Sequence, residues 1–69
     1  MKNINFKRLA EKRVNNVISG LRLIGNLSNK NNYEYTDQEI DKIFKALQVS
    51  LEESKNKFKN NKNKKHFNL

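Results

Sequence analysis

Sixty-nine residues make room for one small domain, and the lack of cysteine excludes both a disulfide framework and a thiolate metal centre. With no proline and glycine at Gly20 and Gly25 alone, the chain also lacks the turn chemistry of an all-β fold. The formal net charge of +8 is unevenly placed: residues 1–30 carry seven Lys/Arg against one Glu, residues 31–53 six acids against two lysines, and residues 54–69 six lysines and no acid. An acidic middle between two basic ends excludes a uniform polycation, and points to basic surfaces that meet phosphate or an acidic protein.

No apolar run approaches the roughly 18 residues needed to span a bilayer. Met1-Lys2-Asn3-Ile4-Asn5-Phe6 has no apolar signal region, so a cytoplasmic protein without a membrane partner is expected.

From about residue 5 to residue 26, the apolar side chains Phe6, Leu9, Ala10, Val14, Val17, Ile18, Leu21 and Ile24 recur at steps of three and four. That spacing predicts an amphipathic helix. Val14, Val17 and Ile18 are β-branched, and Gly20 costs roughly 1 kcal/mol relative to Ala, so packing rather than propensity must hold it. Gly25 and Asn26 are expected to end it in a left-handed turn. Ser28-Asn29-Lys30-Asn31-Asn32 then reads as a polar connector whose Asn side chains favour turns.

Tyr35-Thr36-Asp37-Gln38-Glu39-Ile40 is the clearest local instruction in the chain. Thr36 and Glu39 have the spacing of a capping box, and Tyr35 and Ile40 that of a hydrophobic staple. Asp37, Glu39 and Asp41 add negative charge near the positive end of the helix dipole. The second helix is predicted over about residues 36–58, with Ile40, Ile43, Phe44, Leu47, Leu51 and Phe58 on one stripe and Ser54 in its gap. Residues 59–69 are low-complexity Lys/Asn and are expected to be a disordered tail outside the domain of residues 1–58.

The expected fold is therefore all-α: an antiparallel helical hairpin with a flexible basic C-terminal tail. A lone hairpin buries too little apolar surface to hold itself, so it is expected to dimerise into a four-helix bundle or to complete its core on a partner.

Catalysis has little foothold, and a non-enzyme without cofactor or metal is expected. His66 is the sole histidine and lies in the polar tail, with no Cys or second His to build a nucleophile pair or a metal site. Asp37 and Asp41 are accounted for by helix-start chemistry, and Glu52 and Glu53 read as solvated surface.

The first helix carries more. Arg8, Lys12, Asn15, Ser19, Arg22 and Asn26 repeat at three and four and align opposite the apolar residues. The cations can meet phosphates, while the amides can bond to backbone or base edges. The alternative is the solvated side of a surface helix, but Glu11 is the single acid on that face. Arg13 lies nearer the boundary, with pairing to an acid of the second helix as its alternative role. Lys30 in the connector and Lys62, Lys64 and Lys65 in the tail add cations for a nucleic-acid partner, RNA or DNA. In a genome rich in A and T, the Lys/Asn tail is also what composition alone would give. Asn29, Tyr33 and Tyr35 would form a polar-aromatic tip that meets a partner or, alternatively, only caps and covers the hairpin.

Arg22-Leu23-Ile24-Gly25-Asn26-Leu27-Ser28-Asn29, followed by Asn32-Tyr33-Glu34-Tyr35-Thr36, resembles an R-L-x-x-N-L-S-N…N-Y-x-Y-T pattern of short bacterial proteins, some of phages and plasmids. The resemblance covers about residues 6–58 and brings no activity or site residue with it. In architecture alone, the expected hairpin also resembles the Rop-type plasmid regulators, which implies a dimeric four-helix bundle that binds RNA. The expectation is a small accessory or regulatory protein that binds nucleic acid. The alternatives are an inhibitor or adaptor docking on a host protein, such as a CRISPR effector, and a helical subunit of a larger complex.

Overall fold

The computed structural model describes residues 5–66, with side chains as far as Asn61. Two helices, α1 (Phe6–Asn26) and α2 (Asp37–His66), make up the regular structure of the described residues, which contain no strand. The chain divides into two units, Met1–Glu34 with α1 and Tyr35–Leu69 with α2. No helix among the described residues is long and apolar enough to cross a membrane.

The start of α1 follows Asn5, whose carbonyl accepts the N–H of Leu9 at 2.9 Å. The Asn5 side chain does not cap the helix; its Oδ1 instead accepts Arg8 Nη2 at 3.1 Å. At the other end the sequence expectation needs correction in its chemistry, though not in its place. The helix stops at Asn26 as expected, but no described residue has a positive φ, so Gly25 and Asn26 form no left-handed cap. The last turn tightens instead. Leu27 N–H donates to Ile24 O and Ser28 N–H to Gly25 O, both at 3.0 Å. These i to i−3 bonds satisfy terminal carbonyls that a Schellman cap would otherwise take up.

An Asn-centred turn follows. Asn29 Oδ1 accepts the N–H of Asn31 at 3.0 Å, and Asn29 O accepts from Asn32 and Tyr33, each at 3.1 Å. A short side chain that mimics a backbone acceptor makes this turn locally self-sufficient.

Both arms of the capping box are formed. Thr36 N–H donates to Glu39 Oε1 at 2.8 Å, and Glu39 N–H donates to Thr36 Oγ1 at 3.1 Å. Tyr35 and Ile40, at the staple positions, are both half-buried. From there α2 runs to His66, well past the expected end near Phe58. Over Lys59–His66 the expected tail is helical, and the remainder of it lies outside the described residues. The reason is physical. No Gly or Pro interrupts residues 37–66, lysine is a good helix former, and cations near the negative end of the dipole are favourable. Ser54, the polar residue in the apolar stripe, donates its hydroxyl to Ser50 O at 3.1 Å and so is satisfied within the helix.

What is missing is a core. None of the described residues is buried, and the half-buried ones on α2 (Ile40, Ile43, Leu47) trace the first turns of its apolar stripe.

The reciprocal bonds of Thr36 and Glu39 give a direct expectation. Thr36→Ala should lower stability by about 0.5–2 kcal/mol, read as lost helical circular dichroism and a lower unfolding midpoint. Thr36→Ser should retain most of it, because the hydroxyl remains.

Candidate nucleic-acid interface

Arg8, Lys12, Asn15, Ser19, Arg22 and Asn26 are all exposed on α1, and their spacing places them on one stripe of the helix. Arg8 is anchored at the first turn by its bond to Asn5. The ion pair formed among the described residues is Lys55–Glu52 at 3.8 Å, on the exposed side of α2. Arg8, Lys12, Arg13 and Arg22 therefore reach solvent without a carboxylate partner of their own.

Set against the helix dipoles, the charges of the two helices differ in kind. In α2, Asp37 and Glu39 occupy the first turn and six of the eight lysines lie in the second half, Lys55 to Lys65, so both ends carry the sign the helix favours. In α1 the first turn holds no acid, and Lys7 and Arg8 stand there, beside the positive end of the dipole. Each cation so placed costs a few tenths of a kcal/mol in helix stability. The first-turn acids of α2 serve that helix, whereas the first-turn cations of α1, Lys7 and Arg8, oppose theirs; Lys12, Arg13 and Arg22 lie beyond the reach of the dipole.

The other expected site residues fall in different places. Arg13 is exposed but follows Ala10 by three and precedes Val17 by four, so it lies within the apolar side of α1 and not on the basic stripe. Asn29 is occupied by the turn it builds, with its Oδ1 already accepting from Asn31. Lys30 is exposed in that turn, and Tyr33 is 47% exposed at its end. Tyr35 belongs to the second unit, half-buried at the staple position of α2. Lys62, Lys64 and Lys65 lie on helical backbone, and their side chains fall outside the described residues.

Two exposed apolar residues escaped the sequence reading. Leu23, 67% exposed, lies on the border of the basic stripe beside Ser19 and Asn26, and Val49, 50% exposed, interrupts the polar side of α2. The signal for each was its departure from the three-and-four spacing of the main stripes. Leu23 gives the basic face an apolar neighbour, suited to a sugar or a thymine methyl.

No protein-family model matches the chain, and neither the curated proteins nor the solved structures contain a similar chain.

The dipole argument makes an unusual sign of effect testable. Arg8→Glu should raise the stability of α1 by about 0.3–1 kcal/mol, because an acid at the third helical position suits both the dipole and the N–H of Asn5. Helical circular dichroism at graded temperature reads the gain.

Proposed function

We propose that this protein is a small non-enzymatic accessory protein that binds nucleic acid through the basic stripe of α1, as a dimer of helical hairpins. The observation that carries the reading is the placement of Arg8, Lys12 and Arg22 on one exposed stripe without an ion-pair partner among the described residues, Arg8 at the expense of helix stability. Cations that a helix does not need, left without carboxylates, suit an external polyanion. Asn15, Ser19 and Asn26 lie between and beyond them as exposed hydrogen-bonding groups, for phosphate, sugar or base edges. Arg13 belongs to the packing side, and the lysines of the last turns of α2 are auxiliary contacts.

The dimer rests on the uncovered apolar surface. Among the described residues none is buried, and Val14, Ile18 and Leu21 of α1 and Phe44 and Leu51 of α2 are 41–60% exposed. An antiparallel hairpin of α1 and α2 would cover part of these faces, and a second hairpin would complete a four-helix bundle.

The same uncovered surface favours a second reading, a mobile-element inhibitor or adaptor whose apolar faces dock on a host protein. Capture from lysate with and without nuclease separates the two. Partners lost on nuclease treatment support nucleic-acid binding, while one stoichiometric protein that survives it supports the adaptor.

Direct binding has a quantitative signature. On duplex DNA, log affinity should fall with log salt at about −0.9 per phosphate neutralised, so changing Arg8, Lys12 and Arg22 to Gln should flatten the slope by about 2.7 per chain engaged. Fluorescence anisotropy across a salt series measures it. Binding that is indifferent to salt, or a slope the triple variant leaves unchanged, would remove the basis of the proposal.

A further inference from the structure

The apolar faces of the two helices differ in width. Each residue turns a helix by about 100°, so the α2 stripe, from Ile43 at one edge to Phe44 at the other, spans about 100° of arc. That is the width one packing partner covers. On α1 the apolar side runs from Leu9 through Val17 to Ile18, about 180° of arc, or nearly two such widths. One half holds Phe6, Leu9 and Ile24, with Arg13 and Gly20 among them. The other holds Val14, Ile18 and Leu21 at i, i+4 and i+7, 54%, 41% and 42% exposed, with no charge between them; Lys7 shares the sector but lies about 10 Å before Val14 along the axis.

We infer that the Val14–Ile18–Leu21 strip of α1 is covered by the same strip of a second copy, packed antiparallel. The inference rests on the dimer reading above and assigns its interface. Charge selects the occupant and the direction. Glu11 and Arg22 border this strip on the same side, one beyond each end of it, about 16 Å apart along the axis. Neither is ion-paired among the described residues. A parallel pair would set each residue level with its own copy on opposite sides of the seam, leaving Glu11 about 16 Å along the axis from the partner's Arg22 and both without a partner. An antiparallel pair that sets Val14 against the partner's Ile18 brings Glu11 of each copy alongside the partner's Arg22. The strip therefore carries its own complement when turned end for end, as an isologous interface must. The same twofold brings the basic stripes of both copies to one side of the pair, on helices roughly 8–10 Å apart.

Sedimentation velocity of the full chain over a concentration series is the test, with circular dichroism alongside. The wild type should sediment as a dimer, and Ile18→Glu should halve its mass. Because Ile18→Glu could also unfold the chain, a charge exchange accompanies it. Glu11→Arg and Arg22→Glu should each weaken the dimer several-fold, and the double variant should restore it. A wild type that is helical but monomeric at every concentration overturns both the dimer and this interface, leaving the strip to a different protein. A dimer that survives Ile18→Glu, or single charge variants that leave its dissociation unchanged, overturns the interface while the dimer stands. Single variants that weaken it without rescue in the double overturn the antiparallel direction.

Discussion

Everything in this molecule turns on apolar helix faces that its described residues do not bury. A helix of this length is marginal in water, because its nucleus is costly and each residue added contributes little. In α1 the margin is thinner still, since Val14, Val17 and Ile18 are β-branched, Gly20 lies in the interior, and cations occupy the first turn. Such a helix persists by covering its apolar side. Folding and association then become one equilibrium, and apparent stability depends on the concentration of whatever supplies the cover.

That coupling gives the charges of α1 their meaning. Charge on a helix can serve the helix itself, as in α2, where acids at the capped start and lysines toward the end both complement the dipole. It can also be held against the interest of the helix, as with Lys7 and Arg8. Residues that lower local stability without packing reward are found where function retains them. The cost per side chain is small, but it falls on a helix with little to spare. The counter-reading, a merely solvated face, explains polarity there. It does not explain why cations so outnumber acids there, with Glu11 alone at the border.

Features of short range were legible in the sequence. The capping box of Thr36 and Glu39 could be read because both partners lie within one turn and need nothing from elsewhere in the chain. The same holds for the start of α1 and its stop at Asn26. Two features were misread, for a shared reason. The left-handed cap was inferred from the identity of Gly25, yet a terminus can close by i to i−3 bonds without it. The end of α2 was inferred from the last apolar residue of the stripe, Phe58. Apolar spacing reports where a helix can bury a face, and the helix ends where a breaker or a competing bond stops it. No such breaker stands before His66. Arg13 and Leu23 show the same limit at the site. Arg13 was read as a contact near the boundary and Leu23 was assigned to no face, whereas their angular positions place Arg13 among apolar neighbours and Leu23 on the border of the basic stripe.

The partner is the least legible element, because the surface that recognises α1 is not written in α1 unless the partner is a copy. This is where the width of its apolar side matters. A stripe one partner wide says nothing about what covers it. A side two partners wide, with an acid and a cation bordering one half in reversed order at its two ends, does carry information, since only a twofold antiparallel copy presents that order back to it. The consequence reaches the basic stripe. On the proposed reading a single stripe offers few phosphate contacts, fewer still where Arg22 lies alongside the partner's Glu11, and an electrostatic affinity built on few contacts is weak at physiological salt. Two stripes held rigidly on one side present the second set at high effective concentration once the first is engaged. On that reading the apolar strip and the cationic stripe of α1 work as one device, the first fixing the geometry in which the second becomes strong enough to bind.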